Sequence, residues 1–334
     1  MQYNYLFGID GVEVRGSRWL TMPSLCIGAK SVLLLLAQFF HTSHGKVVGA
    51  AVIPHGDFAY DPSLVHNKNG SLKVHNAAIH AGDYISSLKP DIIVLTTPHG
   101  MSLTNNFAIY ENSAGEGFAE LGSDLHNKSF HKYKIFRSVN FAPTIANDLV
   151  DKLRANNHQN VSGMKNFADT YPQALRWGEI IPLTFLSNET LTSSKVVVLS
   201  HPLRRYNHSK EMVSELLEVG KFLFHYFDAQ FPNKRVVFVG SSDLAHTHLK
   251  SGPYGFSKYA EPFDLDVGKW AKDPEKEEDA LLKDAANIEQ YALSCGFPSL
   301  VMLHGFLRQD FSRFHPVLLA NEHPTYYGMM VSTY

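Results

Sequence analysis

Four apolar segments of the sequence each end in a histidine. His55 follows the run KVVGAAVI, His99 follows DIIVLTT, His201 follows KVVVLS, and His246 lies six residues beyond RVVFVG in the stretch GSSDLAHTH. Imidazole is the commonest metal ligand in proteins and is also the side chain that most readily moves protons near neutral pH. The pattern therefore predicts a site of metal binding, acid–base chemistry or both.

The setting of these histidines suggests how the roles divide. His55 and His99 occur in the same Pro-His-Gly context, and two imidazoles leave most coordination positions of a divalent ion open. We expect these two residues to hold one ion and His246 to carry protons beside it. Asp243, in the same loop as His246, is predicted to orient that loop for catalysis, and a turn or cap hydrogen bond explains it equally well.

The apolar segments read as strands, and segments with helical spacing lie between them. Short, continuous Val/Ile runs separated by helices are typical of a sheet that is covered on both faces. In open sheets of this kind, ligands bind beyond the carboxyl ends of the strands. The prediction is an α/β fold in a single domain, with a mostly parallel or mixed central sheet covered by helices on both faces. Predicted strands are 46–53, 91–97, 195–200 and 235–240, predicted helices are 76–88, 143–155, 209–227, 261–286 and 298–308, and residues 315–320 and 327–332 form a terminal hairpin.

Composition excludes several classes of function. The chain of 334 residues has a net charge of −2 and no basic run, so no nucleic-acid partner is expected. Two cysteines do not make a disulfide framework. The longest apolar run near the N-terminus, residues 31–40, is too short to span a membrane. With 44% hydrophobic residues, the chain has ample material for a core.

Regular alternation of strands and helices begins only at Lys46. We therefore expect residues 1–45 to be an N-terminal extension and residues 46–334 to be the functional domain. A cytoplasmic location is expected, and secretion is the alternative if residues 22–45 act as a signal peptide. Self-association into a homodimer stays open.

A set of motifs resembles one known family. It comprises AAVIPHGD, PDIIVLTTPHG, RWGEIIPLTFL, GSSDLAHT, GPYG followed by EPFD, SCGFPSLVMLHG and YYGMMVS, in this order from about Val47 to Tyr334. Together they resemble the class III extradiol ring-cleavage dioxygenases with a B-subunit-like fold, and the homologous Memo-type proteins. The resemblance implies a non-haem Fe(II) enzyme that cleaves a small catecholic or aminophenolic ring with O₂.

Site roles follow from the resemblance. The two histidines that bind Fe(II) in the dioxygenases match His55 and His99, and the active-site base matches His246. The family's third ligand is a carboxylate near the SCG motif, where this chain has Ser294, and Glu289 lies five residues upstream. In Memo-type proteins the third ligand is the cysteine that matches Cys295. The partial positive charge at the N-terminus of the following helix would stabilise a thiolate at this position.

We predict Cys295 as the third ligand and keep Glu289 as the alternative. A thiolate suits softer metals, so zinc or copper becomes plausible beside Fe(II) if Cys295 binds. The alternative function is then a Memo-like metal-binding protein with a redox or partner-binding role and no ring cleavage. Trp177 replaces a histidine that the dioxygenases usually carry. We expect Trp177 in the core, and stacking of Trp177 on an aromatic ring is the alternative. The enzyme either does without that histidine's role or uses Glu179 for it.

Overall fold

The computed structural model describes residues 46–65, 68–122, 133–167 and 171–334. The predictions made for residues 1–45, an extension or a signal peptide, lie outside the described residues, and the domain boundary at Lys46 stays a prediction. The first described strand begins at Lys46, as the sequence predicted.

A large mixed sheet forms the centre of the molecule. A smaller mixed sheet has one antiparallel and one parallel pair of strands. The large sheet has the order β10-β11-β1-β9-β2-β8-β3-β6, and the small sheet has the order β5-β4-β7. The strands, in chain order, are β1 (Lys46–Ile53), β2 (Ile92–Thr97), β3 (Phe107–Tyr110), β4 (Ala114–Leu121), β5 (Tyr133–Asn140), β6 (Val161–Met164), β7 (Gln173–Leu175), β8 (Lys195–Ser200), β9 (Arg235–Ser241), β10 (Val317–Glu322) and β11 (Met329–Thr333).

Helices cover both faces of the large sheet. They are α1 (Asp57–Tyr60), α2 (Lys68–Ser87), α3 (Pro143–Ala155), α4 (Trp177–Thr184), α5 (Asn188–Ser193), α6 (Arg205–His208), α7 (Val213–Gln230), α8 (Ala260–Lys272), α9 (Ala286–Ala292) and α10 (Phe297–Leu307). Residues Ala280–Ala285 form a π-helix before α9. Among the described residues, no helix has both the length and the hydrophobicity that crossing a bilayer requires.

The α/β fold with a mixed sheet is confirmed. Two separate clusters of buried apolar side chains lie on opposite faces of the sheet, and successive residues of one strand alternate between them. Val94 and Phe238 pack with α3, α7 and α10 on one face, whereas Leu95 and Val239 pack with α2 and α4 on the other. This explains why the central strands are apolar throughout rather than alternating.

Four neighbouring central strands run parallel. β1 pairs with β9, β9 with β2, and β2 with β8, each in parallel register. Ile53 lies opposite Ser241 in the first pair, and Thr97 lies opposite Ser200 in the last. The carboxyl ends of these strands therefore meet at one edge of the sheet, where the segments with the predicted functional histidines begin.

Most predicted elements are present, with shifted ends. Helix α2 begins before the predicted residue 76, α7 begins at Val213 and not at residue 209, and the terminal hairpin is formed by β10 and β11. The sequence indicated short strands and loops over residues 101–132, where β3 and β4 lie, but it did not indicate α4, which contains Pro182, or the formation of a second sheet.

A close contact between α7 and α10 gives a test of this packing. A Cβ atom added to Gly305 would collide with backbone atoms of Leu217, including its carbonyl oxygen, which cannot move away as a flexible side chain would. Gly305→Ala should therefore lower the free energy of unfolding by about 1–3 kcal/mol. Denaturant titration of the wild-type protein and the variant measures this difference in the free energy of unfolding.

The matched control is Gly70→Ala in α2, where an added Cβ would meet its nearest neighbour at 3.6 Å, an ordinary contact. That variant should be neutral or stabilising by up to about 1 kcal/mol, because alanine is the better helix former. Equal destabilisation by both variants would contradict the close packing of α7 on α10.

Candidate metal centre

Three adjacent strands and one helix bring the predicted site residues together. His55 follows β1, Asp243 and His246 follow β9, and His99 follows β2. Cys295 reaches the same place from the other direction, two residues before the first residue of α10. The parallel order β1-β9-β2 puts the three loops side by side, so residues nearly 200 positions apart become neighbours.

The predicted ligands lie within reach of one ion. Donor atoms of His55, His99 and Cys295 all lie within 4.8 Å of one another. The Sγ atom of Cys295 is 3.3 Å from Nε2 of His55, and the rings of His55 and His99 meet edge to face at 4.8 Å between centroids. His55 and Cys295 are 2% and 7% exposed, whereas His99 is partly exposed, so solvent reaches the donor set from the His99 side.

A hydrogen-bond chain fixes the proton on His55. Nδ1 of His55 is 2.9 Å from Oγ of Ser241, whose hydroxyl donates its single proton to the carbonyl of Gly178 at 2.6 Å. Ser241 can therefore only accept from His55, which places the imidazole proton on Nδ1. Nε2 is left with its lone pair toward Cys295, as a metal ligand requires.

Asp243 adds a buried carboxylate to the same place. Oδ1 accepts the backbone N–H of His55 at 3.1 Å, and Oδ2 lies 3.3 Å from Nε2 of His55. The backbone carbonyl of Asp243 accepts from Gly296 at 3.0 Å and from the Ser294 hydroxyl at 2.9 Å. Asp243 thus connects the loop after β9 to both the His55 and the Cys295 segments, which agrees with an orienting role.

Burial keeps the site histidines neutral. It holds the pKa of His55 well below its ordinary value and lowers the pKa of His99 to about 3, and the buried guanidinium of Arg205 acts in the same direction. Burial, and then the Asp243 carboxylate, raise the pKa of Cys295, which Arg205 partly opposes. The two imidazoles therefore offer lone pairs, and a bound cation would favour the thiolate form of Cys295.

This donor set fits a first-row transition metal. Two neutral imidazoles and one sulfur are borderline-to-soft donors, which suit iron, zinc and copper better than magnesium or calcium. The fixed tautomer of His55 and the nearby carboxylate supply the supporting contacts that such a site needs.

Glu289, the alternative third ligand, lies elsewhere. It is 6% exposed on α9, and its carboxylate accepts a hydrogen bond from Ser209. Burial raises its pKa to about 7. Glu289 belongs to none of the groups of metal-ligating side chains that the described residues form, so the geometry favours Cys295.

His246 is placed beside the donor set with its own proton fixed. Nδ1 lies 2.9 Å from the carbonyl of Leu244, a contact that only a protonated nitrogen makes, so Nε2 carries the lone pair. Burial lowers the pKa of His246 to about 4, although the Leu244 and Leu293 carbonyls oppose this shift. The ring stacks on Tyr327 at 5.6 Å and meets Tyr254 edge to face. His246, Asp243 and Cys295 have donor atoms within 4.8 Å of one another.

A cleft of about 320 Å³ opens over these residues. Its lining includes five aromatic rings besides the histidines, and four charged side chains. The lining residues are His55, Gly56, Asp57, His99, Phe118, Glu120, Arg176, Trp177, Asp243, His246, Tyr254, Tyr326 and Tyr327.

The expectation that Trp177 lies in the core is wrong. Trp177 is 42% exposed because it is the first residue of α4, at the cleft, where its ring approaches that of His99 at 5.1 Å. Glu179 is fully buried and accepts from the Tyr110 hydroxyl and the Arg176 backbone, each at 3.0 Å. Glu179 does not line the cleft.

Sequence reasoning missed several contributors. Ser241 and the aromatic residues Tyr254, Tyr326 and Tyr327 stand inside motifs that were recognised, but no pattern told which of them face the cleft. Arg205 gave no signal at all. His201, the fourth histidine at a strand end, is fully buried, and neither ring nitrogen has a hydrogen-bond partner within the described part of the chain.

Comparison with known protein families gives one match. The family model for the catalytic LigB subunit of aromatic ring-opening dioxygenase matches residues 39–332. No curated protein matches the chain significantly.

Replacing each candidate third ligand tests the geometry. Cys295→Ser should lower Zn²⁺ affinity by more than the roughly 10–100-fold that loss of a supporting residue costs. Glu289→Gln should leave the affinity unchanged, because Glu289 is bonded to Ser209. Calorimetric Zn²⁺ titration of both variants measures this. Loss of affinity in the glutamine variant alone would reassign the ligand.

The tautomer of His55 gives a second test. Ser241→Ala removes the acceptor at Nδ1, so the ring can place its proton on Nε2 and Zn²⁺ affinity should fall about 10–100-fold. Ser242→Ala is the matched control, because Ser242 is equally buried but makes only a long 3.5 Å contact to Gly296. Equal affinities for the two variants would show that Ser241 does not set the tautomer.

Proposed function

The chain belongs to the family of the catalytic LigB subunit of aromatic ring-opening dioxygenase, and we propose that it is a non-haem Fe(II)-dependent extradiol dioxygenase. The proposed substrates are O₂ and a small catecholic or aminophenolic ring. The observation that carries the proposal is the meeting of His55, His99 and Cys295 under an aromatic cleft that His246 also lines.

His55, His99 and Cys295 would hold the iron. Bound Fe(II) supplies open coordination positions for substrate and O₂, and the redox capacity that ring opening needs. Ser241 holds the proton of His55 on Nδ1, which would leave Nε2 free to bind the iron, and the Asp243 carboxylate would add negative charge beside it. The near-complete burial of His55 and Cys295 excludes bulk water from this side of the site.

His246 would take the proton from a substrate hydroxyl. Its Nδ1–H is held by the Leu244 carbonyl, so Nε2 is the atom that accepts. Because burial lowers its pKa to about 4, the ring is neutral at neutral pH and its Nε2 lone pair is free, although the same shift makes it a weaker base. Stacking on Tyr327 keeps the imidazole plane fixed during the transfer.

The cleft suits a one-ring substrate. Its volume of about 320 Å³ lies at the lower end of the range for small-molecule sites. Trp177 stands over the His99 side, and Tyr254, Tyr326 and Tyr327 surround the His246 side. Offset or edge-to-face contacts with these rings would orient an aromatic substrate between the metal ligands and the base.

One observation favours a second candidate function. The residue beside both metal-binding histidines is a cysteine and not a carboxylate, which suits zinc or copper and agrees with a Memo-like protein that binds metal in a redox or partner-binding role. One experiment distinguishes the two functions. Oxygen uptake by anaerobically iron-loaded protein is followed with a panel of catechols and aminophenols. Uptake with ring-opened product supports the dioxygenase, and metal binding without uptake for any substrate supports the Memo-like function.

The role of His246 gives a separate test. His246→Gln should keep the metal content and lower kcat by about 10²–10⁴-fold, the usual contribution of a positioned acid–base group. His80→Gln, which changes an exposed histidine on α2, is the control and should leave kcat unchanged. Loss of metal from the His246 variant would instead place this residue among the ligands.

A further inference from the structure

A second group of metal-ligating side chains lies next to the segments that carry His246, Tyr326 and Tyr327 of the cleft. His248 comes from the loop after β9, Glu261 and Asp264 from the first two turns of α8, and His323 from the turn between β10 and β11. Donor atoms of His248, Glu261 and His323 lie within 4.8 Å of one another. This group shares no residue with the donor set of His55, His99 and Cys295.

The inner half of the group is buried and fixed. Nε2 of His248 lies 2.8 Å from Oδ2 of Asp264, and Oδ1 of Asp264 accepts the backbone N–H of Ala245 at 3.0 Å. His248 and Asp264 are 9% and 5% exposed. With Nε2 donating to the carboxylate, the lone pair of His248 is on Nδ1. A carboxylate that holds one imidazole nitrogen while the other binds metal is the usual support of a histidine ligand.

The outer half is exposed and adjustable. The ring of His323 lies parallel to that of His248, with 4.1 Å between centroids and 3° between planes. Nε2 of His323 is 3.1 Å from Oε2 of Glu261, and these two side chains are 46% and 57% exposed. Ligand atoms around a tetrahedral ion with bonds of about 2.1 Å are ~3.4 Å apart. An ion lies in the plane of each imidazole that binds it, so the exposed ring of His323 must turn out of its parallel stack on His248 before the two residues can share an ion.

We propose that His248, Glu261 and His323 form a second metal site, which takes one divalent transition-metal ion of the Zn²⁺ class, with Asp264 as the supporting carboxylate. Two imidazoles and one carboxylate are borderline ligands that suit this class, and they leave a fourth position for water.

The ion would cross-link two segments that line the cleft. The backbone N–H of His248 donates to Tyr326 at 3.0 Å, and the Gly328 N–H donates to Ala245 at 2.8 Å. The loop that carries His246 is therefore already joined to the segment that carries Tyr326 and Tyr327. A metal bound by His248 and His323 ties the same two segments to each other and, through Glu261, to α8.

Counting bound ions tests this site apart from the catalytic one. Metal-free protein without a histidine tag is titrated with Zn²⁺ alone, by calorimetry and by elemental analysis after desalting. Wild type should bind two equivalents with micromolar or tighter affinity, and His323→Ala should bind one. His323 is exposed, so the variant is expected to fold. His80→Ala, which removes another exposed histidine, is the matched control and should bind two.

Two further measurements sharpen the result. Zn²⁺ beyond the first equivalent should raise the midpoint of thermal unfolding of wild type but not of His323→Ala, because only an ion that binds the folded form stabilises it. Glu261→Gln should weaken the second equivalent at least tenfold and leave the first unchanged. A single equivalent in wild type, or two equivalents of unchanged affinity in His323→Ala, would overturn the proposal.

Discussion

The parallel pairing of β1, β9 and β2 is the constraint on which the site depends. These strands run in the same direction, so the segments that follow them leave the same edge of the sheet. His55, Asp243, His246 and His99 are neighbours for this reason alone. Both faces of the strands are covered by apolar side chains, so packing on each side of the sheet fixes the strands in place. The free energy that holds the core together therefore also holds the donor atoms in place.

Burial and hydrogen bonding together set the protonation of the site histidines. It lowers the pKa values of His55, His99 and His246, so all three imidazoles are neutral and each carries a lone pair near neutral pH. Hydrogen bonds from Nδ1 to Ser241 and to Leu244 then decide that Nε2 is the free nitrogen of His55 and His246. The same two effects therefore prepare His55 as a ligand and His246 as a base. Desolvation keeps each ring neutral, and a hydrogen bond at Nδ1 leaves the lone pair on Nε2.

The sequence predicted the fold and the convergence of the histidines well, because continuous apolar runs and repeated Pro-His-Gly motifs are local signals. It predicted the surroundings of the site poorly. Trp177 was expected in the core, and it lines the cleft because α4, which the sequence did not indicate, begins at that residue. The role of Ser241 depends on a contact with Gly178, 63 residues away, and no local pattern carries such information. The sequence also left the third ligand open between Cys295 and Glu289, and the geometry favours Cys295 because Glu289 is bonded to Ser209 instead of lying near the two histidines.

The central claim is that His55, His99 and Cys295 share one metal ion. X-ray absorption at the zinc edge tests it most directly, on His323→Ala protein loaded with one equivalent of Zn²⁺, so that the cleft alone is occupied. The account predicts one sulfur neighbour at ~2.3 Å and imidazole nitrogens at ~2.0–2.1 Å. A first shell of nitrogen and oxygen atoms without sulfur would contradict it, and would remove Cys295 from the metal centre.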